Sequence, residues 1–145
     1  MKVTSMIARY LMGAIFVFFG FNHLIAFLPS PPPPHGLAGE YFAAMMSSGY
    51  FYVVGVCEVV PGLLLLLGRF VPLALLVLAA VIFNIEMTGV LLAHDALPMG
   101  TFLILLWILT AYGVRPVLLP LLAARAASNG SRDAASRPLR DRLAG

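Results

Sequence analysis

Four long apolar stretches alternate with shorter polar segments along this chain. They cover residues 4–28, 50–67, 71–93 and 97–122. A helix of about 20 apolar residues spans a hydrocarbon core of roughly 30 Å, and all four stretches come close to or exceed that length. The pattern predicts an all-α integral membrane protein, a four-transmembrane-helix bundle.

The segment between the first two stretches has a different pattern. Five of residues 29–34 are prolines, which lack a backbone donor and end the first helix. Residues 36–48 then carry apolar side chains at helical spacing but are too few to cross a bilayer. We expect a short amphipathic helix on the outer leaflet, with a surface loop as the alternative and with re-entry into the bilayer left open. The apolar positions of this segment are Leu37, Tyr41, Phe42, Met45 and Met46.

The last twenty residues, 126–145, lose the apolar pattern and contain charges of both signs. They are predicted to form a flexible cytoplasmic tail, which leaves residues 1–125 as the membrane domain.

Composition supports a lipid environment. Hydrophobic residues make up 61% of the chain and charged residues 10%, whereas soluble domains are about half apolar and a quarter charged. The formal net charge of +3 comes from basic residues at the ends of the apolar stretches, not from a nucleic-acid-binding surface. Residues 28–50 and 94–97 contain no Lys or Arg. By the positive-inside rule, both termini and the turn at Arg69 face the cytoplasm. The basic residues are Lys2, Arg9, Arg69, Arg115, Arg125, Arg132, Arg137, Arg140 and Arg142.

Several polar residues lie inside the apolar stretches, where they are costly and often functional. Glu58 and Asn84 both fall about 12 Å from the outer ends of their helices at 1.5 Å per residue, so one outer-leaflet pocket can contain both. Asn84 and Thr88 share a helix face, whereas Glu86 points nearly the opposite way and has an open role. The candidate ligand-binding residues are Glu58, Asn84, Asn22, His23, Thr88 and Glu86.

Each candidate also has a structural alternative. A membrane asparagine such as Asn22 or Asn84 often hydrogen-bonds a neighbouring helix, and His23 fits a histidine at the membrane interface. Glu58 either anchors a ligand or a proton, or makes a structural hydrogen bond. No His or Cys residues stand at metal-ligand spacing, no catalytic motif is found, and the single Cys57 excludes an internal disulfide. We therefore expect no metal and favour a non-catalytic protein.

Two glycine pairs are each seven residues apart, almost two helical turns: Gly13 with Gly20, and Gly55 with Gly62. Such small-residue stripes let another helix approach closely. We expect them to serve helix contacts, either within the chain or between the protomers of a homo-oligomer.

The order of several short segments resembles the DoxX family of small four-helix membrane proteins. This resemblance covers most of residues 1–122 and includes Glu58 and Asn84. It implies a bacterial inner-membrane bundle, and some family members are partners of redox systems, including a thiosulfate:quinone oxidoreductase. Many relatives carry a His shortly after the Asn of the third helix, whereas this chain has Gly89 there. The matching segments are ARYLMG at 8–13, FGFNH at 19–23, the proline-rich PSPPPP at 29–34, SGY at 48–50, PGLLLL at 61–66, GRFVPLA at 68–74 and FNI at 83–85.

Three functions follow as hypotheses. The first is an accessory subunit of a membrane redox system that binds a quinone or lipid near Glu58 and Asn84. Its site is expected to be an aromatic-lined cavity in the outer leaflet, closed by the amphipathic segment 37–46. The second is a scaffold that only anchors redox enzymes and binds no ligand. The third is a small oligomeric transporter with a proton-linked Glu58.

Overall fold

The structure is a computed structural model that describes residues 2–29, 35–93 and 98–122. It contains five α-helices and, within these ranges, no strand. The chain divides into two compact units, Met1–Arg115 and Pro116–Gly145, and the contacts described below lie within the first. The helices are α1 Lys2–Ile25, α2 Leu37–Ser47, α3 Tyr50–Leu67, α4 Val71–Thr88 and α5 Pro98–Leu122.

Four of these helices, α1, α3, α4 and α5, are long and apolar enough to cross a bilayer. The prediction of an all-α protein with four long apolar helices is thereby confirmed. The helix α2 occupies the segment for which an interfacial helix was expected, and its placement in the outer leaflet stays a prediction. The loop residues His94 and Asp95 and the tail at 126–145 lie outside the described residues.

The end of α1 differs from the predicted one. The helix stops at Ile25, three residues before the predicted end at Leu28 and four before Pro29. Ala26 adopts a left-handed backbone with φ of 45°. The Asn22 carbonyl oxygen accepts from Ala26 N–H, four residues on, and the Asn22 side-chain Oδ1 accepts from Leu28 N–H at 2.9 Å just beyond the helix. Local capping therefore ends the helix before the proline run does.

The glycine stripes of α1 and α3 pack against each other within the chain. A Cβ on Gly13 would lie 2.9 Å from the Gly62 carbonyl oxygen, and one on Gly20 would lie 3.0 Å from that of Gly55. All four glycines are buried. The predicted close helix approach is confirmed, and its partner is another helix of the same chain. These faces are therefore occupied and cannot also receive a second protomer.

A tight turn places α4 beside α3. Gly68 ends α3 with φ of 66°, and Arg69 N–H donates to the Leu64 carbonyl at 3.0 Å. Phe70 also has a left-handed backbone, with φ of 51°, and Pro72 follows in the first turn of α4, where a missing donor is tolerated. The chain thus reverses within a few residues.

Hydrogen bonds connect α5 to the other helices. Trp107 Nε1 donates to the Leu75 carbonyl in α4 at 2.8 Å, and Ser5 Oγ donates from α1 to the Thr110 carbonyl at 3.3 Å. The Thr110 hydroxyl donates to Leu106 O four residues earlier, so this fully buried side chain is satisfied within its own helix. The largest fully buried side chains are Phe16, Met12, Leu65, Leu75, Leu78 and Thr110.

A π-helical segment, Gly89–Ala93, extends α4 beyond Thr88. The sequence pattern predicted an ordinary helix to residue 93. Such wide turns are rare and often occur near functional sites. Here the segment directly follows the part of α4 that carries Asn84, Glu86 and Thr88.

Candidate functional site

A cavity of about 420 Å³ lies where α1, α2, α3 and α4 meet. This volume is within the range of roughly 300–1,000 Å³ that is typical of small-molecule sites. Its wall is mostly apolar and aromatic, with a few polar groups. The lining residues are His23, Tyr41, Phe42, Met45, Tyr50, Phe51, Val53, Val54, Cys57, Glu58, Ala80, Val81, Asn84, Ile85 and Thr88.

A polar pair from two helices forms part of the cavity wall. His23, in the last turn of α1, places its Nδ1 2.8 Å from Oε2 of Glu58, near the middle of α3. Glu58 is only 3% exposed, whereas the His23 side chain is 28% exposed. The carboxyl group is thus buried with a partner, which offsets much of the cost of removing it from water. His23 is the residue through which this pair is most accessible.

The pair can offer a ligand either a donor or an acceptor. In its net-neutral form it carries two protons, one shared in the Nδ1–Oε2 contact and one on Nε2, so Nε2–H is a donor. After loss of one proton, Nε2 becomes an acceptor. Within the part of the chain that the structure describes, Nε2 makes no hydrogen bond. The pair therefore has one nitrogen left for a ligand.

Aromatic rings connect α2 to this pair. Phe42 of α2 stacks on Phe51 of α3 at 6.2 Å between ring centroids and 9° between planes. Phe51 in turn lies 5.1 Å from the His23 ring. Tyr41 and the buried Met45 add two more side chains of α2 to the cavity wall. The short helix thus supplies one wall of the cavity.

Helix α4 contributes two uncharged polar side chains to the cavity wall, those of Asn84 and Thr88. Thr88 Oγ1 donates to the Asn84 carbonyl at 2.9 Å, which occupies the threonine proton. The side-chain amide of Asn84 is exposed and makes no hydrogen bond to any described residue. It can therefore both donate to and accept from a bound molecule.

Comparison with protein families decides the classification. The family model DoxX matches residues 4–95, which is most of the described chain and includes every residue of the cavity wall. The chain belongs to the DoxX family. No curated protein and no solved structure matches it. In this DoxX protein, the cavity is thus built entirely from the part that the family shares.

The structure brings together four of the six candidates identified from the sequence: His23, Glu58, Asn84 and Thr88. Asn22 is not part of the cavity wall and caps the end of α1 instead. Glu86 lies at a different cavity, as its spacing of two residues from Asn84 predicts. Whether any of the six binds a ligand stays a prediction.

Several wall residues of this DoxX protein were not identified from the sequence. On α3, Phe51, Val54 and Glu58 follow a spacing of three and four residues, and on α4 Val81, Asn84 and Thr88 do the same. Residues at this spacing share a helix face. Extending each face from its polar residue would have found the apolar wall. The wall residues of α2, Tyr41, Phe42 and Met45, lie in the 37–46 segment that was expected to close the cavity.

Among the described residues, no group of three His, Cys, Asp or Glu side chains is close enough together to hold a metal ion. His23 and Glu58 supply two ligand side chains, and the rest of the wall is mostly apolar, with the Cys57 thiol, the Asn84 amide and the Thr88 hydroxyl among its other polar groups.

Proposed function

We propose that this DoxX protein binds a lipophilic small molecule, a quinone or a lipid, in the cavity between α1, α2, α3 and α4. The observation that carries the proposal is the His23–Glu58 pair in the wall of a mostly apolar and aromatic cavity of about 420 Å³. Binding sites for drug-sized molecules combine such walls with a few well-placed polar groups.

The chemistry of the pair favours a ligand that has hydrogen-bonding oxygens on an apolar body. A quinone head group accepts hydrogen bonds at its carbonyls, and Nε2–H of the net-neutral pair can donate one. The reduced head group carries hydroxyls, which can donate to Nε2 after the pair has lost a proton. Asn84 is a second donor and acceptor across the cavity. The ring of Phe51 provides a flat surface on which a head group can stack.

Access from the bilayer is consistent with such a ligand. The side chains of Tyr50 and Val53 are both exposed and line the cavity. A lipophilic molecule would enter from the surrounding lipid between these residues. In our proposal α2 lies in the outer leaflet and covers the site there, which places the cavity in the outer half of a bacterial inner membrane.

The redox role rests on the family. Some DoxX proteins are partners of redox systems, and a quinone-binding accessory subunit would connect such a partner to the quinone pool. We propose this role, with an associated redox enzyme as the partner. A scaffold without a ligand would instead retain its partner but bind nothing in the cavity.

Ligand analysis tests the proposal. The protein would be purified in mild detergent, and bound quinones and lipids would be extracted and identified by mass spectrometry. We expect a quinone or a defined lipid in the wild type and at least a tenfold loss in Glu58→Gln, which keeps the side-chain volume but removes the acid. Glu40→Gln is the matched control, because Glu40 is exposed on α2 and lines neither cavity.

Two results would overturn ligand binding at this site: equal amounts of the same molecule in wild type and Glu58→Gln, or no bound molecule in either. Pull-down of the redox partner separates the scaffold from the ligand-binding subunit. A scaffold retains its partner and never contains a ligand, whereas the proposed subunit contains both.

A further inference from the structure

A second cavity lies on the opposite face of α4, between this helix and α5. Its volume is about 270 Å³, and nearly all of its wall is apolar. Glu86 is the one ionisable residue in that wall. This cavity shares no residue with the His23–Glu58 site. The lining residues are Ala79, Ile82, Phe83, Glu86, Met87, Ile104 and Trp107.

Among the described residues, the carboxyl group of Glu86 has no hydrogen-bond or ion-pair partner. Its Oε1 is buried and has no hydrogen bond. It packs against Gly100 in the first turn of α5, where an added Cβ would collide with Oε1 and lie 2.7 Å from Cδ. Glu86 as a whole is only partly buried, but a carboxylate oxygen that is buried without a counter-charge or hydrogen bond is costly. The missing side chain at Gly100 makes room for this group, and nothing described in the chain compensates its charge.

The chain does not supply a cation from its described arginines. Arg69 precedes α4, and Glu86 follows the start of this helix at Val71 by fifteen residues, or about 22 Å along the axis at 1.5 Å per residue. Arg9 lies beside Gly68 in the same turn. Arg115 is fifteen residues beyond Gly100 in α5 and packs on Tyr112. None of the described arginines is therefore placed to pair with Glu86.

The surrounding residues select the kind of cation. A metal ion such as Mg²⁺ or Ca²⁺ needs several oxygen ligands, and this wall offers one carboxyl group. Trp107 and Phe83 provide aromatic faces, which attract organic cations. Phe83 is 65% exposed, so the cavity borders the apolar surroundings of the helices. A cation with hydrophobic substituents matches each of these features.

We propose that the cavity between α4 and α5 binds a hydrophobic organic cation, a lipophilic amine or quaternary ammonium, with Glu86 as its counter-charge. This site is independent of the proposed quinone or lipid site. The cation stands against Trp107 and Phe83 while its apolar groups contact Ile82, Met87 and Ile104. Glu86 does not line the first cavity, and in this proposal it binds the cation in the second.

Trp107 makes the proposal directly testable, because it is the single tryptophan of the chain. The purified full-length protein would be titrated with octyltrimethylammonium below its micellar concentration, and tryptophan fluorescence would be recorded. The uncharged probe is 1-octanol. We expect a saturable change in tryptophan fluorescence with the cation, both in the wild type and in the control Glu40→Gln. In Glu86→Gln the Kd for the cation should be at least tenfold higher. With 1-octanol we expect no saturable change.

Gly100→Ala is a second variant that keeps the acid but displaces its carboxyl group, and it should weaken cation binding in the same way. If either variant fails to fold, the comparison of octyltrimethylammonium with 1-octanol on the wild type still tests whether the cavity prefers a cation. An equal response to 1-octanol would show a site for acyl chains and overturn the proposal. An unchanged Kd in a folded Glu86→Gln protein, or no saturable response in wild type, would overturn it as well.

Discussion

Glu58 reaches His23 across a helix interface that contains no side chain at Gly20. A Cβ on Gly20 would lie 2.9 Å from the Glu58 Cβ, and the Nδ1–Oε2 contact of 2.8 Å forms one turn further along α1. The close approach of α1 and α3 and the polar pair are therefore one feature. The glycines bring the backbones together, and this proximity lets a buried acid on one helix meet a histidine on the other.

Gly20→Ala should destabilise the protein and weaken ligand binding together. The new methyl group would meet Val59 Cγ2 at 2.8 Å as well as Glu58, and overpacking of this kind costs about 1–3 kcal/mol. Unfolding monitored by circular dichroism in mixed micelles measures the first effect, and ligand extraction measures the second. The control is Ala14→Val, which adds volume on an exposed face of the same helix. Equal stability of Gly20→Ala and wild type would contradict the described packing.

The His23–Glu58 contact should appear as a coupling energy. Single variants His23→Ala and Glu58→Ala and the double variant form a thermodynamic cycle, because each single change removes the same hydrogen bond. A hydrogen bond that involves a charged group contributes about 1.5–3 kcal/mol, so we expect a coupling of at least about 1 kcal/mol in the free energy of unfolding. Additive effects of the two single variants would show that the two side chains do not interact.

Cys57 should report occupation of the first cavity. It is the single cysteine of the chain, it is exposed, and it lines the cavity next to Glu58. A short-chain quinone added to the purified protein should slow the reaction of Cys57 with a lipophilic maleimide at least several-fold. The matched variant is Glu58→Gln, in which the same quinone should give little protection. Equal labelling rates with and without quinone in wild type would contradict quinone binding beside Cys57, and the same assay with a lipid extract then tests the other ligand.

The sequence predicted the four long helices because their length and apolarity depend on local composition alone. It also placed Glu58 and Asn84 on one cavity, since helical rise and spacing determine depth and direction. It did not predict the partner of Glu58: His23 looked like an interfacial residue until the end of α1 was known to lie against α3. The π-helical segment after Thr88 depends on tertiary packing, for which short-range periodicity carries no signal. The cover of the cavity by the 37–46 segment was expected from the sequence, whereas the stacking of Phe42 on Phe51 was not.

Asn22 and Asn84 were equivalent candidates in the sequence, and the structure gives them different roles. Asn22→Ala should lose the Asn22 Oδ1–Leu28 N–H hydrogen bond and destabilise the end of α1 by about 0.5–1.5 kcal/mol, with little change in bound ligand. Asn84→Ala should lower the amount of bound ligand and change the free energy of unfolding little, because the exposed amide of Asn84 lines the cavity. Unfolding and ligand extraction on both variants check this contrast. A loss of ligand in Asn22→Ala equal to that in Asn84→Ala would contradict it.

The membrane orientation can be tested at the arginine-rich end. Two contacts place the start of α1, the end of α3 and the later part of α5 on one side. An added Cβ on Gly68 would lie 3.1 Å from an Arg9 guanidinium nitrogen, and Ser5 packs against Gly113 of α5. The positive-inside rule then assigns this common side to the cytoplasm. A green fluorescent protein fused after Gly145 should be fluorescent, and alkaline phosphatase fused at the same position should be inactive. Active phosphatase at that position would place the tail outside and would also invert the side of the membrane from which the His23–Glu58 cavity is reached.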